Sequence, residues 1–251
     1  AMTGIGITAT DRSASNQIRL GVASVAGGDE AYDINVTKKL ITLNGSTHAA
    51  VFRGLQTFAK ALPMVSEAKE VALPAAKIHD APRFSYRGFM LDCGRHYFSV
   101  DYIKKFIDVL AMHNINYFHW HLTDDQGWRA EIKQYPKLTT VGATRSNSWN
   151  TDIYMVDNYW WTGEGAYTGK TYGPYFYTQD EMRGVVAYAA ERHIDVLPEV
   201  DMPGHFVAAM AAYPEYSCTP ANPPSVWING GISSNVLNVA DPKAVEFAQN
   251  I

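Results

Sequence analysis

Two histidines and two adjacent acids crowd into "HWHLTDDQGW", residues 119–128: His119, His121, Asp124 and Asp125. Such groups move protons near neutral pH, form charge relays or hold metal ions, and each costs folding energy when buried unless it is paired or hydrated. Two more clusters share this chemistry. "LDCGRHY" carries Asp92 and Arg95, and "PEVDMPGH" carries Glu199, Asp201 and His205. The planar fork of an arginine can hold two neighbouring oxygens, whereas a carboxylate set against a histidine fixes the ring and tunes its affinity for a proton. The His119-x-His121 pair with acids nearby is also a spacing that barrel metalloenzymes use for zinc or iron.

The elements between these clusters set them at equivalent places. From Tyr86 onward, apolar strands alternate with amphipathic helices, the pattern of βα units and a parallel sheet. "YRGFMLD" reads as a first strand. Ser99 caps "VDYIKKFIDVLAMHN", whose Ile103, Phe106, Ile107 and Leu110 make a buried face. "INYFHWHL" is the second strand; its period of two sends Phe118 and Trp120 to one side and His119 and His121 to the other. Thr178 and Glu181 form a capping box before a helix with Met182, Val185, Val186 and Ala189 inward. "IDVLPEV" is the third strand, with Pro198 read as the mark of an irregular end, and Asp241-Pro242 starts a last helix. Functional groups in such architectures collect at the C-terminal ends of strands, where all three clusters fall.

Residues 1–80 differ. "AYDINV" and "LITLN" are two extended runs about Thr37–Lys39, and the helix from Ser46 places Val51, Leu55, Phe58 and Ala59 on one stripe, a small α+β unit. "LPAAKIHDAPRFS", with its two prolines, reads as the connection to the second domain, over 84–251. The stretch 147–177 is crowded with Trp, Tyr and Gly; it is either a sugar-stacking loop or one packed by its own aromatics.

A 251-residue chain with 47% hydrophobic residues can build a sizeable core. Its net charge of −4, without a basic stripe, argues against a nucleic-acid partner. No apolar run is long enough to span a bilayer, and the first residues lack signal-peptide features. Cys93 and Cys218 make neither a disulfide framework nor a zinc motif.

"RGFMLDCGRHYFS", "INYFHWHLTDDQGWR" and "YAAERHIDVLPEVDMPGH", in this order and spacing, resemble the β-N-acetylhexosaminidases of glycoside hydrolase family 20. The resemblance implies an α/β fold: the first three or so βα units of a (β/α)8 TIM barrel, preceded by the family's non-catalytic α+β domain. It implies an exo-acting glycosidase for terminal β-linked N-acetylglucosamine or N-acetylgalactosamine, on glycans or chitooligosaccharides. The nucleophile would be the substrate's own acetamido oxygen, without cofactor or metal and with retention. Arg95 resembles the arginine that anchors the terminal sugar. Asp124 resembles the carboxylate that holds a histidine, here His205, against the general acid. Asp125 and His119 or His121 are expected to satisfy backbone and neighbouring strand ends, and Asp92, Glu199 and Asp201 to support the rim.

The family's Asp-Glu pair follows a fourth strand, and its motif does not occur among these residues. The expectation is therefore a chain truncated before that motif, inactive alone, with a second chain or C-terminal segment completing the barrel. A periplasmic, secreted or lysosomal setting is what the resemblance suggests. Two other readings stand beside it: a metal-dependent barrel hydrolase using His119 and His121, and a non-catalytic sugar-binding protein.

Overall fold

The computed structural model describes residues 8–12, 17–63, 70–146, 171–228 and 231–251. The chain is α/β and divides into two compact units: Ala1–Gly88 with Phe106–Tyr117 and Ala189–Asp195, and Phe89–Lys105 with Phe118–Tyr188 and Val196–Ile251.

In the first unit, β1 (Gln17–Val22), β2 (Tyr32–Val36), β3 (Leu40–Gly45) and β4 (Ala76–Asp80) form a sheet in the order β1-β3-β2-β4. The hairpin of β2 and β3 turns where expected, closed by Thr37, whose hydroxyl donates to the Leu40 carbonyl. β4 is a correction. Its residues lie in the segment read as a connection, yet they pair antiparallel with β2 from Tyr32↔Asp80 to Val36↔Ala76. The helix α1 (His48–Ala61) starts at Thr47, whose side chain accepts from the Ala50 amide. Phe58 is buried with Tyr32, Ile34 and Leu43, while Val51 and Leu55 pack partly buried against them. Gly54 permits the helix to approach this closely, since a Cβ there would lie 2.9 Å from Leu43.

The βα units are those expected, β5 (Gly88–Asp92) with α2 (Val100–Met112), β6 (Tyr117–Asp124) with α4 (Gln179–Ala190), and β8 (Asp195–Val200) with α6 (Pro242–Gln249), while the helix α5 (Val207–Ala212) that precedes α6 was not expected. β6 pairs with both β5 and β8. The strands run in the same direction, because amide-to-carbonyl bonds join their starts, Asn116 to Arg87 and Asp195 to Asn116, and their ends, Cys93 to His121. A two-residue strand β7 (Gly127–Trp128), which the sequence pattern does not reveal, turns back on the end of β6. The chain between β7 and α4 includes the short helix α3 (Lys137–Thr140).

Ser99, the Thr178–Glu181 box and Asp241 all act as caps. Ile103, Ile107, Leu110, Val185 and Ala189 are buried, but Val186 is 47% exposed, so the inward stripe of α4 is narrower than expected. β8 runs unbroken through Pro198. Among the described residues β8 pairs only with β6, and a strand paired on one side needs ladder donors on that side only, so the proline is accommodated without an irregular end. The two-turn helix α6 gains its surface from Phe247, fully buried against the rings of Tyr135, Tyr213 and Tyr216. Most of the aromatic stretch at 147–177 lies outside the described residues. Within them, Tyr97 stacks on both Tyr175 and Tyr177.

Candidate active site

The ends of β5, β6 and β8 bring the three charged clusters together around one carboxylate. Asp124, the last residue of β6, has a side chain with no exposure to solvent. Its Oδ2 takes Arg95 Nη2 at 2.9 Å and His121 Nε2 at 2.9 Å. Its Oδ1 takes the Asp125 amide at 2.7 Å and His205 Nδ1 at 3.1 Å. Burial alone would raise the pKa of this carboxyl; the bonds from His121 and the Asp125 amide, with the charges of Arg95 and His205, hold it below the ordinary range. The strand ends can meet because residue 94 is glycine. A Cβ at Gly94 would stand 2.9 Å from the Asp124 Cβ and 3.0 Å from its amide nitrogen.

Arg95 is clamped from two sides. Asp92 accepts from its Nη1 at 2.8 Å and from its backbone amide at 3.0 Å, and Asp124 takes Nη2. A third of the side chain remains exposed, which leaves an edge of the guanidinium for a ligand. The backbone beneath it is gripped by two buried arginines. Arg129 donates to the carbonyls of Cys93, Gly94, Ala143 and Tyr175, and Arg145 to those of Arg95 and Gln126. Burial lowers the Arg129 pKa to about 10.

His205 sits in the loop between β8 and α5 with φ of 52°, in the left-handed region that a histidine adopts at some cost. Its Nδ1 faces Asp124, and its Nε2 has no hydrogen bond among the described residues, so that nitrogen is available to meet a further group. Asp125 bonds backbone: Oδ1 accepts the Val207 amide at 3.2 Å and Oδ2 the Ser233 amide at 3.3 Å, with Oδ2 3.8 Å from His205 Nδ1. The expectation that Asp125 satisfies backbone is met. Burial raises its pKa.

His121 meets neighbouring strand ends, as expected, and those ends are two carboxylates: Nε2 lies on Asp124 and Nδ1 on Glu199 Oε2 at 2.7 Å, partners the sequence reading did not name. Burial would lower its pKa, but the bonds to Asp124 and Glu199 outweigh that and raise it from 6.5 to about 9. Glu199 also holds His119, and its own pKa is lowered by the two histidines against the opposing effect of burial. The signal was available in principle: β6 and β8 are neighbours in register, so inward residues near their ends must meet.

Because the His121 pKa is higher in the folded chain than its ordinary value, its contribution to stability is complete below about pH 6.5 and is lost as pH rises through about 9. The contribution is on the order of a few kcal/mol. Urea midpoints of the full-length protein at both ends of this window should show the decline in wild type and a flatter profile in His121→Gln; equal slopes in both would refute the assignment.

His121, Glu199 and Asp201 offer ligand-type atoms within 4.8 Å of one another, as do Asp124, Asp125 and His205. His119 and His121 converge on one oxygen of Glu199. Both nitrogens of His121 are engaged by carboxylates, an arrangement that suits a charge relay; the metal-hydrolase reading would need one of them for an ion.

Comparison with known proteins agrees in both halves. The family model described as glycosyl hydrolase family 20, catalytic domain, matches residues 84–251, and that of domain 2 of the same family matches residues 1–81. A beta-hexosaminidase of Porphyromonas gingivalis is 39% identical over 250 residues, 96% of this chain and 29% of that protein. One from Vibrio furnissii is 44% identical over 187 residues, 74% of this chain and 28% of that protein. The structure of a β-N-acetylhexosaminidase from Streptomyces coelicolor superposes with a TM-score of 0.80 at 32% identity, covering 95% of this chain and 44% of that one. A mutant beta-hexosaminidase of Streptomyces plicatus in complex with the product GlcNAc gives 0.77 at 33% identity, covering 93% and 43%. The chain thus spans less than half the length of each of these proteins.

Proposed function

The chain belongs to glycosyl hydrolase family 20, and from that premise we propose that the complete protein is an exo-acting β-N-acetylhexosaminidase for terminal β-linked N-acetylglucosamine or N-acetylgalactosamine. Residues 1–80 are its non-catalytic α+β domain and 84–251 the first part of its barrel. The acetamido oxygen of the substrate attacks the anomeric carbon as the bond to the aglycone oxygen breaks, and that oxygen takes a proton from a general acid. Water then opens the cyclic intermediate with overall retention. Since these residues span 29% and 28% of two relatives, we assign the proton donor and the remaining strands to a further segment or a second chain.

What this chain supplies is an anchor and a relay. Arg95 binds hydroxyls of the terminal sugar through its exposed edge, while His205, oriented by Asp124, meets the general acid through Nε2. One observation carries the reading: a single buried carboxylate, Asp124, joins Arg95 on one oxygen and His205 on the other. An acetamido sugar of a glycan or chitooligosaccharide is the substrate class this supports.

The test is Arg95→Ala in the full-length protein. Loss of a charged contact to the sugar should lower kcat/KM for an aryl N-acetylglucosaminide about a hundredfold. A value within about twofold of wild type would remove Arg95 from substrate binding.

A further inference from the structure

His121 has no assigned part in the relay, yet its surroundings are built with more care than a strand filler requires. Both ring nitrogens face carboxylate oxygens, at 2.9 Å to Asp124 and 2.7 Å to Glu199. A neutral ring would turn a lone pair toward one of those anions, so the pair of contacts calls for the imidazolium. The charged groups around it are Asp124 on its own strand, Glu199 and Asp201 at the end of β8, and Asp92 at the end of β5, 4.0 Å away. Arg95 lies beyond Asp124, and His119 beyond Glu199.

The two oxygens of Asp124 have separate partners, and the orientation of the carboxylate decides which oxygen faces which. Arg95 is partly exposed, and its hold on Asp124 is shared with Asp92 and, by the reading above, with substrate. His121 is buried and braced from behind by Glu199, so it is the fixed member of the pair on Oδ2. With Oδ2 pinned, Oδ1 is left aimed at His205.

We propose that His121, braced by Glu199, is a positioning residue of the acid relay: it fixes the Asp124 carboxylate so that His205 is held in the orientation that serves the general acid. This rests on the glycosidase reading above. The chain of contacts runs Glu199–His121–Asp124–His205, alternating acid and base, and its far end is Nε2 of His205, which has no hydrogen bond among the described residues.

A relay that serves proton donation matters in proportion to how much the leaving group needs a proton. kcat/KM of the full-length enzyme is therefore measured on dinitrophenyl N-acetyl-β-glucosaminide, whose aglycone departs unaided, and on methyl N-acetyl-β-glucosaminide, whose aglycone must be protonated. In His121→Gln the loss should be about tenfold or more on the methyl glycoside and within about threefold on the dinitrophenyl one. A merely structural role lowers both alike, so equal losses, or no loss, overturn the proposal. Should His121→Gln not fold, Glu199→Gln, altered at a partly exposed side chain, must show the same ordering. Wild type that turns over neither substrate overturns the glycosidase reading and this proposal with it; wild-type turnover with equal losses overturns this proposal alone.

Discussion

Asp124→Asn in the full-length enzyme is expected to lower kcat/KM for an aryl N-acetylglucosaminide by about a thousandfold, more than the loss of Arg95 alone. The carboxylate receives four donors: the Arg95 guanidinium, His121, His205 and the Asp125 amide. An asparagine side chain has one accepting oxygen, and its NH2 would face donors. Arg95 would keep Asp92 and His121 would keep Glu199, but each would lose a buried charge partner, and removing one partner of a buried pair costs about 3–5 kcal/mol. Because the proposed sugar anchor and the proposed relay hang on the same group, Asp124→Asn and His205→Ala should be non-additive. If the double variant lost the product of the two single losses, the two residues would be acting separately.

The second large effect concerns stability. Arg129→Met should destabilise the protein by about 3–5 kcal/mol, seen as a lowered urea midpoint with an unchanged slope. The arginine reaches four carbonyls in three separate stretches of chain, at Cys93–Gly94, Ala143 and Tyr175, and methionine would leave all four without this donor. Arg129→Lys should not restore the midpoint, because a single ammonium cannot span acceptors that a planar fork reaches from both edges. A lysine variant as stable as wild type would show that charge, not geometry, is what the site requires.

How much of this was legible beforehand depends on how far apart the interacting residues lie. Local rules read well. The alternation in "FHWH" correctly separated Phe118 and Trp120, both buried, from His119 and His121, and the caps at Thr178 and Asp241 follow from side chains reaching amides two or three residues on. β4 was missed because "AKIHD" sits close to two prolines and owes its strand form to β2, more than forty positions earlier, rather than to its own pattern. β7 is too short for any periodicity. The His121–Glu199 pair joins positions 78 apart and becomes visible only once the register of β6 against β8 is known. Arg129 was the least readable, since an arginine in sequence suggests a solvated side chain and its carbonyl partners carry no side-chain signature.

Asp124, which ends β6, and Asp125, which follows it, are neighbours in the chain with different hydrogen-bond partners. Asp124 faces the charged cluster, whereas Asp125 is spent on the amides of Val207 and Ser233. The first bonds charged side chains and the second backbone, although Asp125 Oδ2 stands 3.8 Å from His205. Counting along the strand is what keeps them apart. A single residue deleted within β6 would put Asp125 before the histidines and leave the loop amides to Gln126, and one inserted would put Asp124 on the loop amides and Thr123 before the histidines, while barely changing composition or hydrophobicity. Variation in this protein should therefore be easier to accept as substitution within β6 than as any change in its length.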